Sequence, residues 1–135
     1  LMLITNDLGV VAETVQDVVV MYAGRVVEQG TVDEVLLAPK HPYTQGLLDS
    51  IPSKGKRGQR LNVIKGMVAN PFRLPAGCNF APRCPHAFEP CATHDPRIET
   101  AQPPDVACWL YSRVPGGPPP PATRPTVPPT EVSAS

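Results

Sequence analysis

The sequence has no excess of charge of either sign, since twelve basic residues balance twelve acidic ones. A nucleic-acid footprint needs a basic surplus, so that class of partner is set aside. Also missing is an uninterrupted apolar run of about eighteen residues, the length a membrane-spanning helix requires. The most apolar region, residues 8–27, is broken by Glu13, Gln16, Asp17 and Arg25. No secretory leader pattern is present, so the thiols are expected in a reducing compartment, where disulfides are disfavoured. There is no internal repeat, which excludes a solenoid. Cysteine is absent from residues 1–77 and from everything after residue 108.

What is there stands out against these absences. Cys78, Cys84, Cys91 and Cys108 are separated by five, six and sixteen residues. Four confined thiols match the ligand count of a tetrahedral zinc site or a cubane iron–sulfur cluster. The gaps supply none of the short pairs usual for zinc and match no ferredoxin spacing, so spacing alone leaves the metal open. Disulfides and free thiols also remain open. Pro75, Pro82, Pro85 and Pro90 stiffen the loops around the thiols, and Gly77 permits a sharp turn before Cys78. His86 and His94 lie between the cysteines. Four thiols already complete a site, so both histidines read as solvated loop residues. Trp109, next to Cys108, is placed to cover a metal site.

The remaining segments can be read in order. Leu1–Thr5 is apolar without alternation and reads as a buried central strand of a parallel sheet. That reading predicts a C-terminal fragment of a larger α/β protein. Asp7 is a candidate cap for a helix from Leu8 to about Val15. Asp17–Tyr22 and Arg25–Gln29 read as a hairpin turning at Ala23-Gly24 and ending at Gly30. Thr31 and Glu34 form a capping-box pattern for a short helix to about Ala38, closed by Pro39. A second helix is expected from Pro42 to Ser50. Residues 53–60 are basic and glycine-containing, which reads as a solvated linker. Leu61–Lys65 is a candidate strand. Residues 71–111 are proline-rich and aperiodic, a loop-rich module held by its thiols more than by a core. Eight prolines fall between Pro115 and the C-terminus, and that stretch cannot bury enough surface to order itself.

Taken together, the residues resemble the end of an ABC-transporter ATP-binding subunit of the dipeptide/oligopeptide importer group. LMLITNDLGVVAE resembles the family's switch-histidine loop, and VMYAGRVVEQG its following strand pair. His41-Pro42-Tyr43-Thr44 is the motif of the family's C-terminal extension, and LPAGCNFAPRCPHAFEPC with VACWLY its cysteine pattern. The resemblance covers Leu1 to about Tyr111. It implies residues 1–52 as the C-terminal part of an ABC ATP-binding domain, 53–60 as linker, and 61–114 as the cysteine module. Residues 115–135 follow as a disordered Pro-rich tail. The fold implied is α/β, the end of a P-loop NTPase.

The resemblance further implies ATP with Mg as the parent's cofactor and a [4Fe–4S] cluster on Cys78, Cys84, Cys91 and Cys108, with Zn as the alternative. Implied partners are a second ATP-binding subunit, transmembrane permease subunits and, indirectly, a peptide-binding protein, at the cytoplasmic face of the inner membrane. A G-x-x-x-x-G-K-[ST] loop is absent from this chain, so the chain alone is not expected to hydrolyse ATP. The family has His at the switch position near the ATP γ-phosphate where this chain has Asn6. An amide donates a hydrogen bond but carries no proton or charge near neutral pH. Three readings of Asn6 stand: a degenerate site in an asymmetric pair of subunits, an engineered or erroneous substitution, or a cap for the helix that follows. His41, before a proline at a helix start, is expected to make a structural hydrogen bond, and Tyr43 to pack its helix on the ATP-binding body. Two rival readings stand: a free-standing four-cysteine module for redox sensing or interaction, and a nickel or other small-solute importer of the same group.

Overall fold

The computed structural model of the protein describes residues 1–51, 63–98 and 105–111. The expected linker at 53–60 and the Pro-rich tail at 115–135 lie outside the described residues.

Asp7 opens the first helix, α1 (Leu8–Thr14). Its carboxylate accepts the N–H groups of Gly9 at 2.9 Å and Val10 at 3.3 Å, two of the donors a helix start leaves unsatisfied. Val11 and Val15 reach the core from this side. The hairpin follows as expected, with β1 (Asp17–Tyr22) antiparallel to β2 (Arg25–Thr31). Val18, Val20 and Tyr22 face inward while Asp17, Val19 and Met21 face out. Ala23 and Gly24 both hold positive φ, +46° and +78°, the backbone that lets a two-residue turn match strand twist.

The ladder then slips. Val20 faces Glu28 but Met21 faces Val26, so Val27 is an extra residue on β2, a bulge. Alternation fails there, and Val27 and Glu28 are both buried. Strand β2 also continues through Gly30 to Thr31, beyond its expected end. A third strand, β3 (Asp105–Val106), pairs antiparallel to β2 with Glu28 opposite Val106, giving the order β1-β2-β3.

The expected strand at Leu1–Thr5 does not form, and this sheet is antiparallel rather than parallel. Residues 1–5 are exposed, and Thr5 instead accepts the N–H of Asp7 at 3.0 Å. A central strand needs partners on both edges and cover on both faces. Among the described residues none pairs with this segment.

Helix α2 (Val32–Leu37) starts on the expected capping box, with the Thr31 hydroxyl accepting from the Glu34 N–H and the Glu34 carboxylate from the Thr31 N–H. Helix α3 (Pro42–Asp49) starts on Pro42, with His41 as its cap. Past it, a 3-10 turn at Ala81–Arg83 and a short helix α4 (Glu89–Thr93) are the only other elements among the described residues. Val63–Lys65 form no strand, because the carbonyls of Ile64 and Lys65 accept from the Arg83 guanidinium at 3.0 and 3.1 Å. Leu61 and Asn62 lie outside the described residues.

The main core joins Val18, Val20, Tyr22, Val27 and Val35 to Phe80. Phe80 stands edge-on to Tyr22 at 5.2 Å and near Tyr43 at 5.5 Å, and the two tyrosines are 4.7 Å apart. Burying a side chain of this size contributes about 1.5–3 kcal/mol. Phe80 thereby roots the thiol-bearing loops in the hairpin.

Candidate functional site

Each thiol is presented by a different piece of local structure. Cys78 follows Gly77, Cys84 ends the 3-10 turn, Cys91 lies in α4, and Cys108 follows β3. Backbone bonds tie the pieces together. The Cys78 N–H donates to the Cys91 carbonyl at 2.8 Å, and the Ala107 N–H to the Val27 carbonyl at 2.8 Å. The second bond draws Cys108 to the bulge on β2. Gly77 is required for closeness, since a Cβ there would collide with the Cys91 carbonyl oxygen and the Ala92–Thr93 peptide.

The consequence is convergence. All four cysteines line one small, partly covered cavity of about 10 Å³, together with His41 and Phe80. That is room for roughly one water. None of the four is in a disulfide. Burial pushes the thiol of Cys84 up to about 11 and that of Cys108 up to about 12. The neighbouring cysteines add to the rise at both. Burial also raises Cys78 and Cys91. These are protonated thiols held together in an apolar space, and a bound cation is what would make them thiolates. Among the described residues, no three His, Cys, Asp or Glu side chains stand close enough to hold a metal ion.

Trp109 lines this cavity. It packs on Cys91 and donates its indole N–H to the His94 carbonyl at 2.8 Å. His86 touches the rim but is exposed, and His94 is exposed beside the Thr93 hydroxyl at 2.9 Å. His41 is 1% exposed, and its Nδ1 accepts the Tyr43 N–H at 3.0 Å. Burial lowers its pKa to about 4, so the ring is neutral.

One buried side chain beside the cavity escapes a reading of the sequence. Glu28, fully buried, accepts the N–H groups of Lys40 at 2.7 Å and His41 at 3.0 Å. Burial raises its pKa, and the nearby Thr44 hydroxyl and these two amides pull it back. The Thr44 hydroxyl lies beside the carboxylate but falls short of good hydrogen-bond geometry. Glu28 thus fixes the loop that carries His41 and Pro42 to the cavity wall. Only its place beside a bulge puts it inside, and alternation along β2 does not announce a bulge.

Asn6 is exposed and lines neither the thiol cavity nor the cleft beside it. The cap of α1 is Asp7, so the capping role weighed for Asn6 is not the one it plays. The structure brings the four cysteines together and leaves Asn6 apart from them.

Residues 27–91 match the family described as "Oligopeptide/dipeptide transporter, C-terminal region". This span holds the His41 motif and three of the cysteines, with Cys108 beyond it. The chain is 52% identical over 112 residues to the oligopeptide transport ATP-binding protein AppD of Bacillus subtilis, covering 82% of this chain and 34% of that protein. It is 41% identical over 118 residues to the dipeptide transport ATP-binding protein DppD of Haemophilus influenzae, covering 87% and 36%. With the oligopeptide transport ATP-binding protein OppD of Salmonella typhimurium it shares 46% over 103 residues, 76% and 30% of the two chains. The chain spans about a third of the length of these relatives.

Proposed function

Residues 27–91 belong to the oligopeptide/dipeptide transporter C-terminal region, and from that premise we propose that the chain is part of an energy-coupling, ATP-binding subunit of an ABC importer for oligopeptides or dipeptides. What carries the reading is the long similarity to ATP-binding proteins named for peptide transport. The parent subunit would use ATP with Mg and act with a second such subunit, permease subunits and a peptide-binding protein. It would sit peripherally on the cytoplasmic face of the membrane. Among the described residues no helix is long and apolar enough to cross a membrane.

Within that subunit, Cys78, Cys84, Cys91 and Cys108 would hold a metal–thiolate centre, a [4Fe–4S] cluster in preference to zinc. Their convergence on one covered cavity, free of disulfides, supports a shared ligand. A single zinc needs four ligand atoms drawn in to about 2.0–2.3 Å from one point. The preference for a cluster over zinc comes from the resemblance to the family's cysteine-bearing extension. The present cavity is too small for a cubane, so loading must part its walls, which are loops with only short elements. Bound, the cluster would cross-link the extension and supply a one-electron, oxygen-sensitive group. Anaerobically prepared full-length subunit should contain about four irons per chain and absorb broadly in the visible. Colourless, zinc-loaded protein would overturn the cluster.

Asn6 would occupy the switch position beside the ATP γ-phosphate, and its amide would position water less well than an imidazole. Asn6→His in the full-length subunit should raise ATPase activity by about tenfold. An unchanged rate would show that the position is not impaired.

A further inference from the structure

The four thiols of the cavity are not equivalent partners for one another. Cys78 and Cys91 are the pair whose main chains touch, through the 2.8 Å bond from the Cys78 N–H to the Cys91 carbonyl. Among the described residues no other main-chain hydrogen bond joins two cysteines. The Cys84 N–H is spent on the Ala81 carbonyl at 3.2 Å, and the Cys108 carbonyl on the Tyr111 N–H at 3.0 Å. Paired residues that share such a bond have Cα atoms about 5.5 Å apart, inside the roughly 4.4–6.8 Å that a disulfide spans. The side chains of Cys78 and Cys91 also line the same cavity. A disulfide suits so small a space, because it adds no atoms and draws two sulfurs together.

Exposure orders the pair. Cys78 is half-buried and also borders an open cleft between β2 and residues 95–98, whereas Cys91 is buried. A small oxidant therefore meets Cys78 first, and Cys91 is the thiol placed to complete the reaction. Cys84 is half-buried as well, but its turn gives it no main-chain contact with a second thiol.

We propose that Cys78 and Cys91 form a reversible disulfide when the metal-free chain meets a low-molecular-weight disulfide, leaving Cys84 and Cys108 as thiols. The inference concerns the chain's own sulfurs and rests on no bound metal. The Cys78 sulfur attacks one sulfur of the oxidant, forming a mixed disulfide and releasing one half of the oxidant as a thiol. The Cys91 sulfur then attacks the Cys78 sulfur and releases the other half. Two protein thiols are oxidised, one small disulfide is reduced to two thiols, and the two protein protons leave on them. Burial raises both groups, which slows the exchange without altering which pair closes. The bond staples α4 to the loop ahead of the 3-10 turn. It also withdraws half of the thiols, so a ligand that needs all four is shut out until the bond is reduced.

Peptide mapping of the full chain tests this. Metal-free protein is incubated with hydroxyethyl disulfide, quenched by alkylation and digested without reductant. The Cys78–Cys91 bond should exceed every other pairing by about tenfold, with Cys84 and Cys108 recovered alkylated. The same reaction in urea supplies the contrast. There loop closure favours short separations, so Cys78–Cys84 and Cys84–Cys91, with gaps of five and six residues, should overtake it. Cys91→Ser should stall at a mixed disulfide on Cys78, and the map of the parent chain keeps the test decisive if that variant does not fold. A dominant native pair containing Cys84 or Cys108, or the same distribution with and without urea, overturns the proposal.

Discussion

His41 shows how much one residue can hold. It caps α3, stands 5.8 Å from Phe80 and walls the thiol cavity. Its proline neighbour makes the structural role legible from sequence, but its depth is not. Burial keeps it neutral, with a folded pKa of about 4 against 6.5 unfolded. Between those values the unfolded chain binds a proton that the folded one refuses. Stability should therefore be full above pH 6.5 and fall as pH drops toward 4, by about 3 kcal/mol in all. Glu28 works in the other direction. Its raised pKa favours the fold below pH 4.5, and that contribution fades as pH climbs through the raised value. Urea midpoints at pH 7 and pH 4.5 should differ less in His41→Asn, whose amide oxygen still caps Tyr43. Equal acid sensitivity in both proteins would remove His41 as the cause.

At the scale of elements, the legible parts were those specified by neighbours in sequence. The hairpin rests on alternation and its turn, α2 on the Thr31–Glu34 box, and α3 on Pro42. The illegible parts depend on distant partners. Strand β3 is two residues long and exists only because β2 offers it a paired edge at Glu28 and Gln29. Leu1–Thr5 failed for the converse reason, an apolar strand pattern with no edge to join among the described residues. Gly77 lies between these cases, since its sequence context suggested a turn while its work is to let two backbones touch. Gly77→Ala should cost about 1–3 kcal/mol by overpacking. It should also separate Cys78 from Cys91, so alkylation of Cys91 would rise under native conditions. Unchanged stability would mean the α4 backbone yields freely.

For the whole molecule, the main question is whether the thiol-bearing loops stand alone. They share Phe80 with Val18, Val20 and Tyr22, and Arg83 reaches the Tyr22 hydroxyl at 3.4 Å. Asn79 donates to the Ala23 carbonyl at 3.1 Å, so the hairpin turn is also theirs. Residues 53–111 expressed without the hairpin should give no cooperative thermal transition, with or without metal. Phe80→Ala in the full chain should cost about 3–5 kcal/mol. A sharp, metal-dependent transition in the isolated segment would favour the rival reading of an independent module. Composition suggested that thiols replace a core here; the structure puts two buried aromatics, Phe80 and Trp109, where that replacement was expected.

The pairing of β2 with β3 also sets an order in time. Glu28 and Val106 face each other across most of the chain, so the wall bearing Cys108 is the last to leave the ribosome. Sixteen residues separate Cys91 from Cys108, which translation at about 5–20 residues per second crosses in about one to three seconds. During that interval three thiols of each nascent chain lack the wall that carries Cys108 and Trp109. Closing the thiol cavity is then a race between elongation and thiol oxidation, and slow codons in this stretch would lengthen the exposure.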